Sequence, residues 1–307
     1  MYRKIMGFLE AWKENEHRKP LILQGARQVG KTYSILEFGR THYENVAYFN
    51  FETNPKLNET FEENISPDYL IPILSHIAGQ TIVKEKTLIV FDEVQLCERA
   101  LTSLKYFCED APDYHIIVAG SLLGVAVNRA KFSFPVGKVD MKTLYPMDME
   151  EFMLALGEKD LVEQIKKCFQ TDTPLPSALH DAAMQLYRQY LVVGGMPECV
   201  MQFAGTKDYI LVRHTQDTIL ASYLNDMSKY NNLNEIKKTR LSYDNITVQL
   251  SKKNTRFQYK LIKKGGRASE FENAIEWLCL SGIVSQVYKV EQIKKPLENY
   301  RDIDAFK

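Results

Sequence analysis

Along the first 145 positions, short apolar runs alternate with stretches whose apolar residues recur at helical spacing. LILQ at 21–24 precedes a loop bracketed by glycines and a helical period over about 32–41. VAYFNF at 46–51, TLIVFDE at 87–93, YHIIVAG at 114–120 and a final run over 139–144 complete the series. These runs are apolar at nearly every position, as strands covered on both faces must be. The pattern predicts an α/β domain over 1–145, with a parallel sheet flanked by helices.

Beyond 145 the alternation stops. PMDMEEFMLALGEKDLVEQIKKCF reads as one helix, TDTPLPS as a proline-bearing linker, and ALHDAAMQLYRQYLVV as a second helix that ends at Gly194 and Gly195. Residues 146–204 are therefore expected to form a helical lid or linker. KDYILVRHTQDTILASYLNDM is a long amphipathic pattern, ITVQLSKK and ASEFENAIEWLCLSG are shorter helical ones, and IVSQVYKVEQI alternates like one arm of a hairpin. Helices followed by a hairpin predict a winged-helix-like domain over 205–307.

The length of 307 residues exceeds what one core usually holds, roughly 250–300, which agrees with more than one domain. A hydrophobic fraction of 45% with 25% charged residues is that of a folded soluble protein and argues against a disordered or collagenous chain. The longest apolar stretch free of Lys, Arg, Asp and Glu has 15 residues, 114–128, fewer than the ~20 a membrane helix needs. No membrane association is expected. Glu10 and Lys13 break the N-terminal apolar stretch, so no secretory signal is read there, and a cytoplasmic location is expected. Cys97, Cys108, Cys168, Cys199 and Cys279 are odd in number and form no C-x-x-C pair; they read as reduced, buried thiols. The six histidines, His115 on its apolar strand among them, show no metal-ligand spacing.

One local motif changes the picture. Gly25-Ala26-Arg27-Gln28-Val29-Gly30-Lys31-Thr32 matches G-x-x-x-x-G-K-[ST] between a predicted strand and a predicted helix. Its glycines let the backbone fold around phosphate oxygens with N–H groups pointing inward, and the following helix adds the positive end of its dipole. Lys31 then reaches the β- and γ-phosphates of ATP, and the Thr32 hydroxyl ligates Mg²⁺. Sixty-one positions further on, LIVF runs into Asp92 and Glu93. Asp92 falls at the C-terminal tip of a buried strand, where α/β sheets bind ligands, and would hold Mg²⁺ through its water shell. Glu93 is the candidate general base toward the attacking water. Ser121, at the end of the next strand, is the candidate γ-phosphate sensor; Glu52, at the end of VAYFNF, is a weaker candidate for the same edge. Arg27, Arg129 and Lys138 are the basic residues near these motifs, and none is assigned as an arginine finger.

The strings RKPLILQGARQVGKT, LIVFDEVQ, AGSLLG, FPVGKVDMKTLYPMDMEEFM and YLVVGGMPECV together resemble a bacterial and archaeal family of AAA-type P-loop ATPases with a winged helix after the ATPase core. The resemblance spans essentially the whole chain. It implies that Lys31 and Thr32 contact nucleotide and Mg²⁺, that Asp92 and Glu93 form the second motif's pair, and that Ser121 is the sensor. Members of that family usually continue into a domain resembling restriction endonucleases. This sequence stops at Lys307, so any function of that domain is expected to be absent here or to have been removed by truncation.

Net charge is zero, yet 229–267 carries eleven basic residues against two acidic ones, a local balance of +9. Such asymmetry points to a polyanion such as duplex DNA, with a solvated face or a docking surface for the acidic remainder as the competing reading. Tyr243, Phe257 and Tyr259, interleaved with these charges, are expected to pack in the core. Two functions follow: a Mg²⁺-dependent ATPase whose hydrolysis drives a conformational change, with DNA as a candidate partner, or a nucleotide-gated switch with incidental turnover. A small-molecule kinase is a third, for which no acceptor pocket is marked.

Overall fold

The computed structural model describes residues 1–121, 134–227, 233–253 and 256–307. These form two units, Met1–Thr218 and Ile219–Lys307.

The first unit is organised by five parallel strands, β1 (Leu21–Gly25), β2 (Asn45–Asn50), β3 (Thr87–Asp92), β4 (His115–Ser121) and β5 (Asp140–Thr143), in the order β2-β3-β4-β1-β5. Parallel neighbours cannot be joined by a tight turn, so each connection needs a crossover. α2 (Lys31–His42) joins β1 to β2, α3 (Leu57–Glu63) and α4 (Pro67–Ala78) join β2 to β3, and α5 (Glu98–Asp110) joins β3 to β4; α1 (Ile5–Glu14) precedes the sheet. All six residues of β3 are buried, as its unbroken apolar pattern requires. Phe49, Phe51, Phe61 and Phe91 meet edge-on or tilted under β2 and β3, with centroids 5.5 to 6.0 Å apart, burying large apolar area where a carboxylate must be held at the strand tip. This is the α/β P-loop NTPase fold. Because every strand runs the same way, the C-terminal ends of β1, β2, β3 and β4 share one edge.

Strand bounds follow the sequence pattern to within a residue or two. The stretch after the sheet does not. The single helix expected there is two, α6 (Met149–Ala155) and α7 (Lys159–Gln170). α6 starts with a capping box, in which Asp148 accepts from the Glu151 N–H and Glu151 accepts from the Asp148 N–H. Gly157, at φ 89°, turns the chain between the two helices so that Met153 packs on Leu161 and Val162. α8 (Ser177–Val193), α9 (Pro197–Thr206) and α10 (Tyr209–Met227) follow, and the boundary between the units falls within α10.

In the second unit α11 (Leu233–Leu250) is longer than the ITVQLSKK pattern, because its first half carries apolar positions too sparse to read from sequence. It packs on α12 (Ala268–Leu280), and β6 (Tyr288–Val290) pairs antiparallel with β7 (Arg301–Phe306). Met227, Ile275, Leu278 and Phe306 form the centre, with Tyr243, Phe257 and Tyr259 packed against them as expected. Among the described residues, no helix is long and apolar enough to cross a membrane.

Candidate nucleotide site

The loop 25–32 leaves β1 at Gly25 and enters α2 at Lys31. A Cβ on Gly25 would stand 2.3 Å from the Leu144 carbonyl oxygen, so only glycine lets the strand end pass beneath the segment that follows β5. Gly30 caps α2 at φ 89° and ψ 27°, a left-handed conformation that turns the chain into the helix. Between them Ala26 and Val29 are buried, Arg27 is half-buried and Gln28, at φ 62°, is exposed. Lys31 Nζ donates to the carbonyl oxygens of Gly25 at 3.0 Å and Ala26 at 2.8 Å, so the ammonium folds back over the loop. Burial lowers its pKa to about 8, against the opposing pull of the Glu93 and Asp92 carboxylates.

The second half of the site comes from β3. Asp92 ends that strand and is 5% exposed. Its Oδ2 accepts from the Thr32 hydroxyl at 2.9 Å and from the Tyr48 phenol at 2.7 Å, while Oδ1 accepts from the Glu93 N–H at 3.0 Å. Thr32 and Asp92, 60 positions apart, thus present two hard oxygen donors side by side, the set that suits Mg²⁺ held jointly with substrate phosphates. Glu93 sits at φ 53°, a left-handed conformation costly for a residue with a Cβ, and Gln95 donates a side-chain hydrogen bond to its Oε2. The turn bends the chain out of β3 directly beside Asp92.

Two members of this arrangement were not read from sequence. Tyr48 lies on β2, its phenol on Asp92 and accepting from Asn50 Nδ2 at 3.2 Å; burial around the hydroxyl, with the Asp92 carboxylate beside it, raises its pKa to about 12. Asn50 pairs in register with Asp92, and its Oδ1 accepts from the N–H groups of Glu52 and Thr53 at 2.9 and 3.0 Å. Asn50 is therefore the β2-end residue joined through Tyr48 to Asp92, whereas Glu52 is exposed in the turn beyond. The only sequence signal for Tyr48 was a polar-ended aromatic on a strand bordering the site.

The backbone of Ser121 pairs with Gly25, which sets the end of β4 beside the loop 25–32; its side chain and Arg129 lie outside the described residues. Lys138 forms an ion pair with Glu109 at 2.9 Å. His115 is buried at the opposite end of β4, with its Nδ1 2.7 Å from the Tyr43 hydroxyl, and burial, with Arg18 and Lys13 adding, lowers its pKa to about 4. All five cysteines are free, and burial raises the Cys97 and Cys199 thiols to about 11.

Residues 17–153 match the family described as an AAA domain, and the loop 25–32, Asp92 and Glu93 all fall inside that match. This part of the chain is similar to AAA domains over those 137 residues. Residues 184–307 match a domain of unknown function (DUF8612). A search of curated proteins finds none that matches the chain. Among solved structures it is similar to the Holliday junction branch migration motor RuvB of Thermotoga maritima, with 14% identity over 92% of this chain and 88% of that one at a TM-score of 0.38. It is also similar to the Aeropyrum pernix Orc1 protein in complex with DNA, with 14% identity over 99% and 88% at 0.34. AMPPCP-bound DnaA from Aquifex aeolicus gives 11% identity over 90% of each chain at 0.35.

Proposed function

We propose that the AAA-type domain binds ATP with Mg²⁺ and hydrolyses it, and that hydrolysis drives a conformational change in the helical regions that follow. The observation that carries this reading is the 2.9 Å contact between the Thr32 hydroxyl and the Asp92 carboxylate beside the folded-back Lys31 ammonium. The N–H groups of the loop and the start of α2 receive the phosphates. Lys31, held to neutral loop carbonyls, exchanges those weak partners for β- and γ-phosphate oxygens, a stronger charge-assisted contact. Thr32 and Asp92 hold Mg²⁺, which when bound neutralises phosphate charge. Glu93 takes the proton of the attacking water, with Gln95 fixing one carboxylate oxygen so that the other faces the reaction. Ser121 orients that water or senses the γ-phosphate.

A second element of the proposal is duplex DNA as the partner of a winged-helix-like second unit. Lys252, Lys253, Arg256, Lys260, Lys263, Lys264 and Arg267 are all exposed in the segment between α11 and α12, and two packed helices precede an antiparallel strand pair. Exposed cations clustered on one segment suit phosphate contacts. The test is steady-state phosphate release by the full chain with Mg²⁺, with and without duplex DNA. Turnover that rises with DNA supports coupling; turnover indifferent to DNA removes it. Tight ATP binding with no turnover would favour the nucleotide-gated switch instead.

A further inference from the structure

Arg3 lies near the start of the chain, outside every motif of the site, yet it is 4% exposed and all three nitrogens of its guanidinium donate. Nη1 donates to the Val29 carbonyl at 2.9 Å, Nη2 to the Tyr145 carbonyl at 2.8 Å, and Nε to Glu151 Oε1 at 3.1 Å. The three acceptors belong to the phosphate loop, the segment after β5 and the first turn of α6. Glu151 is in turn held: Oε1 also accepts from the Lys4 N–H at 2.7 Å and Oε2 from the Asp148 N–H at 3.1 Å. The guanidinium lies against Gly30, where a built Cβ would stand 3.6 Å from Nη1.

From this geometry we infer that Arg3 is a positioning residue for the phosphate loop, acting by fixing the Val29–Gly30 peptide plane, with Glu151 as the anchor that holds Arg3. The inference rests on the reading of that loop as an ATP site. A trans peptide is planar, with its C=O and N–H pointing in opposite directions. Holding the Val29 carbonyl toward Arg3 therefore turns the Gly30 N–H away from Arg3 and pins it there. Gly30 has a freedom about φ and ψ that residues with a Cβ lack, so without an outside restraint this peptide is able to flip. A buried cation is costly unless fully paired, and an aliphatic side chain would fill the same space more cheaply. What the planar fork adds is a simultaneous grip on two carbonyls and a carboxylate from three separate segments, which the single ammonium of lysine cannot reproduce.

Arg3→Lys keeps the charge and the Glu151 partner but loses the fork. In the full chain, KM for ATP should rise about tenfold or more, the cost of losing a hydrogen bond from a charged donor, with kcat changed far less and the nucleotide-free melting temperature near that of the parent. Glu151→Gln should move KM the same way by a smaller factor, and R3K/E151Q should be no worse than R3K alone, because Glu151 acts through Arg3. Parent-like KM in R3K, or a double variant whose effects multiply, overturns the inference. A fall in melting temperature with unchanged KM assigns Arg3 to folding alone and also overturns it. If R3K does not fold, E151Q decides by the same KM measurement. A parent chain that binds no ATP sinks the nucleotide reading itself, an outcome distinct from a parent that binds and an R3K that binds equally well.

Discussion

The Tyr48 phenol and the Thr32 hydroxyl donate to the same oxygen of Asp92, at 2.7 and 2.9 Å. Both hydroxyl protons are spent on that oxygen, so the carboxylate is oriented from β2 as well as from α2. If Thr32 turned its oxygen to a metal ion, as proposed, Tyr48 would remain to hold Asp92 in place. Tyr48→Phe keeps the ring and removes that hold, together with the acceptor of the Asn50 amide. The Mg²⁺ concentration for half-maximal phosphate release should rise about tenfold, the usual scale for losing an outer partner of a metal-binding group. An unchanged Mg²⁺ titration would show that Asp92 needs no support from β2.

Lys31 provides a proton-linked signature. In the free protein burial brings its pKa down to about 8. Phosphates bound at this loop, as proposed, would place negative charge against it and return it toward its ordinary value of 10.5. The sign follows: above the lowered value the free protein has lost this proton and the complex keeps it, so ATP binding takes up a proton there, and well below it the lysine is charged in both states and contributes none. Binding enthalpies measured at about pH 9 in buffers of different ionisation enthalpy should differ, and those at about pH 6 should show no contribution from Lys31. Lys31→Ala should abolish both tight ATP binding and the linkage; labelled ATP bound with parent affinity by the folded variant would remove Lys31 from the site.

Glu93→Gln keeps the shape of the side chain and the Gln95 neighbour but cannot accept a proton. Phosphate release should fall by about 10² to 10⁴ while ATP stays bound. Equal turnover would pass the role of base to another group, and since Glu52 is exposed in the turn beyond β2, a coupled E52Q measurement would test it directly.

The basic segment makes the partner testable by salt. If Lys252, Lys253, Lys260 and Lys264 meet a phosphate backbone, full-chain affinity for duplex DNA should fall steeply with salt, each contact adding about −0.9 to the slope of log K against log salt. Reversing the four to Glu should flatten the slope and leave DNA-free ATP hydrolysis unchanged. Absence of binding at low salt, read by fluorescence anisotropy, leaves these residues as a solvated face.

The candidate site was partly legible in the sequence because the loop 25–32 is contiguous: its residue types are dictated by one local backbone path, and the strand and helix around them are written in adjacent apolar periods. Asp92 was legible for a related reason, since four apolar residues before a carboxylate mark the end of a covered strand wherever it lies in the sheet. Tyr48 and Asn50 were not, because their role depends on β2 lying next to β3, and strand order is a property of the whole sheet. Arg3 and Glu151 were least legible of all. Their hydrogen bond spans 148 positions, and in a linear reading one is a charge near the terminus and the other an ordinary acidic residue in a helix. Likewise the continuous helical period over the stretch after the sheet hid the break at Gly157, which helical spacing alone does not reveal and which packing of Met153 on Leu161 and Val162 selects. Local chemistry and hydrophobic period were set by the chain itself; which distant side chains share a buried carboxylate or a loop carbonyl was decided only when the sheet assembled and burial favoured pairing of the polar groups brought together there.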